Sequence, residues 1–279
     1  MATSVAYRRA IGELAELLGC EPEEEAVFAR RLELEPGAYA SLLLQATETD
    51  VLLIDDGFPA GEEAFSWQRM GELARCTVMP VLRLETTKRA AEEVRDARER
   101  GFAALKTIAA YRGGLQLDES HPVWAALEAN EAMGRPLPVQ VHCGFGDASL
   151  WLPLADPGWL KPAIERFDLT PFVLLHCYPF VREAGWLAHV YPNVFFDLSL
   201  TIPFVARPEE AVREALELAP WSKLLYASDA SSAPELYFVA ASRWRRALAV
   251  VLPELLHEAD AVAAAHAILR ENALRIYPI

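Results

Sequence analysis

Short hydrophobic runs that stop on a polar residue, separated by helical stretches, constrain this chain more than any other feature. Lys106 ends FAALK, His142 ends PVQVH, His176 ends FVLLH and Asp229 ends KLLYASD. Each run has the β-branched and aromatic content of a buried strand, and each terminal residue can bind a metal or move a proton. In a parallel α/β barrel such ends converge on one mouth.

The alternation covers most of the chain. Strands are expected at Val51–Phe58, Thr77–Leu84, Phe102–Ala109, Pro138–Gly144, Phe172–Tyr178, Asn193–Leu200 and Leu224–Asp229. Helices are expected at Glu62–Arg75, Thr86–Arg100, Ser120–Gly134, Pro157–Arg166, Val181–Val190, Pro208–Leu218 and Pro234–Val250. This order implies right-handed βαβ units and a parallel sheet. The first 50 residues read instead as three helices, Val5–Leu18, Glu23–Leu34 and Pro36–Thr49. An open doubly wound sheet would carry a glycine-rich phosphate turn, and neither GxGxxG nor GxxxxGK[ST] occurs. The expected fold is therefore an α/β, (β/α)8 TIM-like barrel that lacks its first strand, with seven strands visible and an N-terminal helical segment. It forms one domain over residues 1–279: a helical segment to 50, a barrel core over 51–250 and a C-terminal helix over 251–279.

Net charge bounds the partners. Lys and Arg number 26 against 40 Asp and Glu, giving −14, so nucleic acid and anionic membrane surfaces are poor partners. No apolar run approaches the roughly 20 residues of a membrane span. The N-terminus carries Glu13 and Glu16 within its apolar pattern and reads as an amphipathic helix, not a signal peptide. Four cysteines without CxxC spacing fit reduced thiols and a cytoplasmic location. A small-molecule substrate is the expected partner, and a homo-oligomer stays open.

Strand side chains alternate between faces, so Gln140 shares a face with His142 while Val139, Val141 and Cys143 share the other. The same count pairs Leu174 with His176, opposite Val173, Leu175 and Cys177. Both histidines then point into the barrel, with the apolar and thiol set beneath the helices. Two imidazoles and Asp229 supply the three protein ligands that a catalytic zinc commonly uses. A lysine inside an apolar strand needs a partner, a metal or a modification; Lys106 thus suits carbamylation, Schiff-base chemistry, proton transfer or a carboxylate at the mouth. Tyr111 and Arg112 follow it, and Arg112 suits a substrate carboxylate. Asp55, Asp56 and Asp197 line the cavity or cap turns. Ser232 and Glu235 have capping-box spacing, and Glu235 and Tyr237 lie near enough to the mouth to touch substrate.

LKTIAAYRGGL around Lys106, VQVHCGFGD around His142, FVLLHCYP around His176 and YASDASSAPELY around Asp229 are similar to the amidohydrolase superfamily. The likeness is closest to the group that includes domains fused to glutamine synthetase-like proteins, and it runs from Val51 to Val250. The resemblance implies a barrel with a divalent metal, zinc above all, at its mouth. It makes His142 the fifth-strand ligand, His176 the sixth-strand ligand and Asp229 the eighth-strand acid that binds metal and acts on water. Lys106 matches the lysine that is carbamylated in binuclear members. A first strand bearing His-x-His completes the family's site; no His-x-His occurs here, and on this count it is expected upstream of Met1. The resemblance implies hydrolysis of a C–N bond in a small non-peptide amide. The alternative is an inactive relative that binds a small molecule or partner without turnover.

Overall fold

The computed structural model describes residues 2–55, 57, 66–86 and 89–279. Three helices come first, α1 (Val5–Leu18), α2 (Glu24–Leu32) and α3 (Pro36–Gln45), as their apolar periodicity requires. Ser4 caps α1 by accepting from the Tyr7 N–H, and Gly19 closes it in the left-handed conformation that glycine tolerates best. Buried Glu13 of α1 anchors this segment to the rest of the fold through Arg243.

Seven parallel strands then follow in sequence order: β1 (Val51–Ile54), β2 (Thr77–Arg83), β3 (Ala104–Thr107), β4 (Val139–Cys143), β5 (Phe172–His176), β6 (Val194–Asp197) and β7 (Leu224–Leu225). The helices between them are α4 (Trp67–Ala74), α5 (Ala90–Ala97), α6 (Trp124–Glu131), α7 (Lys161–Arg166), α8 (Val181–Val190), the short α9 (Thr201–Phe204) and α10 (Pro208–Leu216). After β7 come α11 (Pro234–Leu255), α12 (Glu258–His266) and α13 (Asn272–Ile276). The sheet curls as a barrel does. Among the described residues β1 pairs with β2 alone and β7 with β6 alone, so the barrel stays open along one seam. No described helix is long and apolar enough to cross a membrane.

Two buried layers flank the sheet. Outward-facing Leu105, Val139, Val141, Cys143, Phe172, Leu174 and Phe196 join the helices in the large core. Inward-facing Val81, Ala104, Val173, Leu175, Phe195 and Leu225 form a smaller cluster closed by Tyr277 of the C-terminal segment. The Tyr277 hydroxyl accepts a hydrogen bond from Gln140 at 3.1 Å, which plugs the barrel floor.

Several boundaries differ from the sequence reading. Phe58 and Asp56 of the first expected strand, and residues 62–65 and 87–88 of two expected helices, lie outside the described residues. β7 stops after two residues because the Tyr226 N–H bonds Ile268 O in the C-terminal segment, not the neighbouring strand. Asp229 therefore sits on a loop, not a strand end. The single helix expected over 251–279 is instead the last turn of α11 followed by α12 and α13, the break falling at extended Leu256 and His257 just after Pro253. Ala233, not Ser232, is the N-cap of α11, and it makes no side-chain cap bond, so the capping box does not form.

Candidate active site

Strand alternation brings a ring of polar side chains to the inner face near the C-terminal ends of the strands. Arg83 ends β2, Lys106 lies in β3, His142 in β4 and Asp197 ends β6, all in phase with the inner apolar cluster. Asp55 joins them just past β1 and takes two hydrogen bonds from the Arg83 guanidinium, at 2.8 and 2.5 Å. Lys106 is buried, with its Nζ 3.3 Å from Asp229 Oδ1 and 3.8 Å from Asp55 Oδ2. A paired ammonium meets the cost of burying that lysine.

His176 arrives by a different route from the one that alternation implies. The register sets His142 beside Leu175 and Cys143 beside His176, so the two histidines are one step apart. Leu174, which shares His176's expected face, packs outward, whereas Val173 and Leu175 face the barrel interior. The expectation that Leu174 and His176 share the inward face is thus wrong for Leu174. His176 has φ 68°, Cys177 φ 62° and Asp229 φ 47°, left-handed conformations that cost a non-glycine residue about 1–3 kcal/mol each. This twist breaks the alternation and swings the His176 ring onto His142. Thr201 Oγ1 donates to His176 O at 2.7 Å and helps to hold the strained strand end.

The result is a contiguous set. His176 Nε2 lies 2.9 Å from His142 Nδ1 and 3.7 Å from Asp229 Oδ2, and His176 Nδ1 lies 2.6 Å from Ser199 Oγ. Burial holds His142 neutral, its pKa pulled down to about 2 with help from His176 and Lys106. Burial also lowers His176. For Asp229 burial works upward, but Lys106 and His176 outweigh it and keep the carboxyl below its ordinary range. Its side chain is still 29% exposed, so solvent weakens these effects.

Tyr111 packs its ring 4.8 Å from that of His142, and its hydroxyl accepts from the Asp147 N–H at 3.2 Å. The loop after β4 can close over it only with glycine in two places. A Cβ on Gly144 (φ 68°) would run into Tyr178 O, and one on Gly146 would run into the Tyr111 hydroxyl.

Lys106, Tyr111, Arg112, His142 and Asp229 line a common cavity of about 1520 Å³. It follows the open seam, bordered by β1 and by Leu225–Asp229, down to Tyr277. Fully buried His176 stands behind this wall. Glu235 does not line the cavity; it ties α11 to the N-terminal helices through Arg31 at 3.0 Å and the Tyr39 hydroxyl at 3.1 Å. Arg83 was missed in the sequence, although it ends its run as Lys106 ends FAALK. Ser199 stands two positions after Asp197, the spacing of one strand face, and nothing else in the sequence marks it.

Metal fit divides into geometry and chemistry. Among the described residues no three His, Cys, Asp or Glu side chains stand in metal-holding geometry, since Lys106 engages Asp229 and the imidazoles engage each other. The donor set nevertheless suits a divalent ion, with two neutral imidazoles beside an ionised carboxylate. His142 Nε2 is buried and has no hydrogen-bond partner within geometric limits among the described residues, while the Phe145 backbone acts on the ring and works to raise its pKa. We take the residues to fit.

Known proteins share the family and the fold of this chain. An amidohydrolase family profile matches residues 66–279. The chain belongs to the amidohydrolase family. A structure from Lactobacillus casei ATCC 334, of a protein named as a metal-dependent hydrolase, superposes with TM-score 0.84 at 28% identity, over 99% of this chain and 84% of that one. A TIM-barrel protein of Bordetella bronchiseptica (TM-score 0.60, 15% identity, 99% and 92% covered) shares the fold. So does a dihydroorotase of Campylobacter jejuni (0.58, 15%, 86% and 78%). Protein fluG of Emericella nidulans is 39% identical over 150 residues, which are 51% of this chain and 17% of that protein. This amidohydrolase thus matches only a small part of that relative's length.

Proposed function

We propose that this amidohydrolase hydrolyses a C–N bond in a small non-peptide amide with the help of one divalent metal ion. The observation that carries the reading is the meeting of His142, His176 and an ionised Asp229 at the wall of a large cavity, with His176 Nε2 2.9 Å from His142 Nδ1 and 3.7 Å from Asp229 Oδ2. His142, His176 and the Asp229 carboxylate are the residues that would hold the ion. Nitrogen and oxygen donors of this kind favour zinc. When bound, the ion supplies Lewis acidity toward a carbonyl oxygen and a water.

The chain's own groups do the rest. Asp229 accepts the proton of the attacking water and delivers it to the leaving nitrogen, a role open to a carboxylate that stays ionised at neutral pH. Lys106 steadies Asp229 as an ammonium. Carbamylating it would set a new negative charge between Asp55 and Asp229, so the paired ammonium is the reading we adopt. Arg112, exposed at the rim of the cavity, suits a carboxylate on the substrate. Tyr111 limits the space above His142.

The test is release of amine or ammonia from a panel of small N-acyl compounds. Turnover that rises with added zinc or manganese and stops with a chelator is expected. No turnover across the panel, or turnover indifferent to chelation, would favour a protein that binds without catalysis.

A further inference from the structure

We propose that Glu85 is a positioning residue: it fixes the turn that presents Arg112 to a substrate carboxylate, and so sets a preference of the site for carboxylate-bearing amides. This rests on the role given to Arg112 above.

Strand register explains why a side chain is needed at this place. β2 and β3 pair with Arg83 beside Lys106, so two further steps would set Glu85 opposite Ile108. β2 stops at Arg83, however, and Leu84–Thr86 form a 3₁₀ turn. The Ile108 N–H donates instead to the Glu85 side chain, at 2.9 Å from Oε1. The Thr107 hydroxyl, on a residue 1% exposed, donates to the same oxygen. A hydroxyl has one proton, and with that proton directed at Glu85 the Thr107 oxygen is an acceptor. It receives the Ala109 N–H at 3.1 Å. Glu85 Oε2 is buried and has no hydrogen-bond partner among the described residues, so the carboxylate's bonds there all go to the end of β3.

Residues 108 and 109 carry the turn that follows. Ile108 O accepts the Tyr111 N–H at 2.8 Å, and Ala109 O accepts from Arg112 at 2.8 Å and from Gly114 at 3.0 Å. Gly113 (φ 115°) and Gly114 (φ 110°) reverse the chain in conformations that side chains rarely adopt. Leu154 O holds the far end through the Leu115 N–H at 2.9 Å. Arg112 lies between these two anchors, exposed and lining the cavity. Holding the turn in one geometry removes part of the ordering cost that a mobile arginine meets on binding. Lys106 depends on Glu85 less, because its backbone is paired on both sides, with Arg83 and Gln140. Glu85 therefore acts on the rim and not on the group beside Asp229.

Two probes test this without metal or turnover: N-acetylglycine, which has a carboxylate, and N-acetylglycinamide, which does not. NMR titration of the full chain gives both dissociation constants. The wild type should bind N-acetylglycine more tightly. Glu85→Ala should weaken N-acetylglycine by about 10–100-fold, the worth of a charge-assisted hydrogen bond, and leave N-acetylglycinamide within about 2-fold. Glu85→Gln keeps an acceptor oxygen and should restore wild-type affinity. Adding Glu85→Ala to Arg112→Ala should weaken N-acetylglycine no further, since the effect passes through Arg112. Amide exchange at Ile108 and Ala109 should quicken in Glu85→Ala. Additive losses, equal losses for both probes, or unchanged exchange overturn the proposal. So does a wild type that fails to prefer N-acetylglycine, whether or not any variant folds. That result removes the carboxylate role of Arg112 and leaves metal-dependent hydrolysis to its own chelation test.

Discussion

Asp229→Asn lowers kcat by about 10²–10⁴-fold, the usual contribution of a positioned acid–base group. The substitution keeps the shape of the side chain, and its amide oxygen can still accept from Lys106 Nζ, 3.3 Å away in the wild type. It removes the basic carboxylate that would take a proton from water. Lys106 loses a charged partner, but Asp55 remains 3.8 Å from it. The stability cost should then be about 1–3 kcal/mol, that of a hydrogen bond to a charged group, and the variant stays folded. Steady-state hydrolysis and urea unfolding of the same preparation separate the two effects. Wild-type turnover in Asp229→Asn would remove Asp229 from the chemistry.

The second large effect lies far from the cavity. Arg243 is 1% exposed and donates to Glu13 at 3.0 Å, to Ala6 O at 2.8 Å and to Pro203 O. One side chain thereby joins α1, α9 and α11, the helix that follows the Asp229 loop. Burial disfavours its charge, and Glu13 beside it works the other way. Arg243→Ala leaves two carbonyls without their donor and Glu13 with only Arg246, 3.8 Å away, which should cost about 3–5 kcal/mol. Replacing both partners at once, Glu13→Leu with Arg243→Met, should recover most of that loss, because neither charge is then stranded. Urea midpoints measure both. A loss below about 1 kcal/mol in Arg243→Ala would show that the N-terminal helices are only loosely attached.

Much of this was legible in the chain itself. The three N-terminal helices and the order of strands follow from hydrophobic period, because packing on one face leaves a period in the sequence. β4 was readable to the residue: Val139, Val141 and Cys143 face the helices and His142 faces inward. β5 was not, since the left-handed turn at His176 leaves no trace in residue type, as it would have if glycine stood there. The partners of Glu235 were hidden for another reason. Tyr39 is 196 residues away, and no local spacing reports a contact between α11 and α3. Likewise the Arg83–Asp55 pair and the Ser199–His176 contact depend on neighbouring strands lying side by side, which only the fold supplies.

We propose that His142, His176 and Asp229 form the protein's part of a divalent metal site. Calorimetric titration of zinc into chelator-treated protein tests it most directly, with His142→Asn measured in parallel. One ion per chain is expected, and His142→Asn should weaken binding by more than the 10–100-fold typical of outer partners. No binding by the wild type, or equal binding by both proteins, would contradict the account.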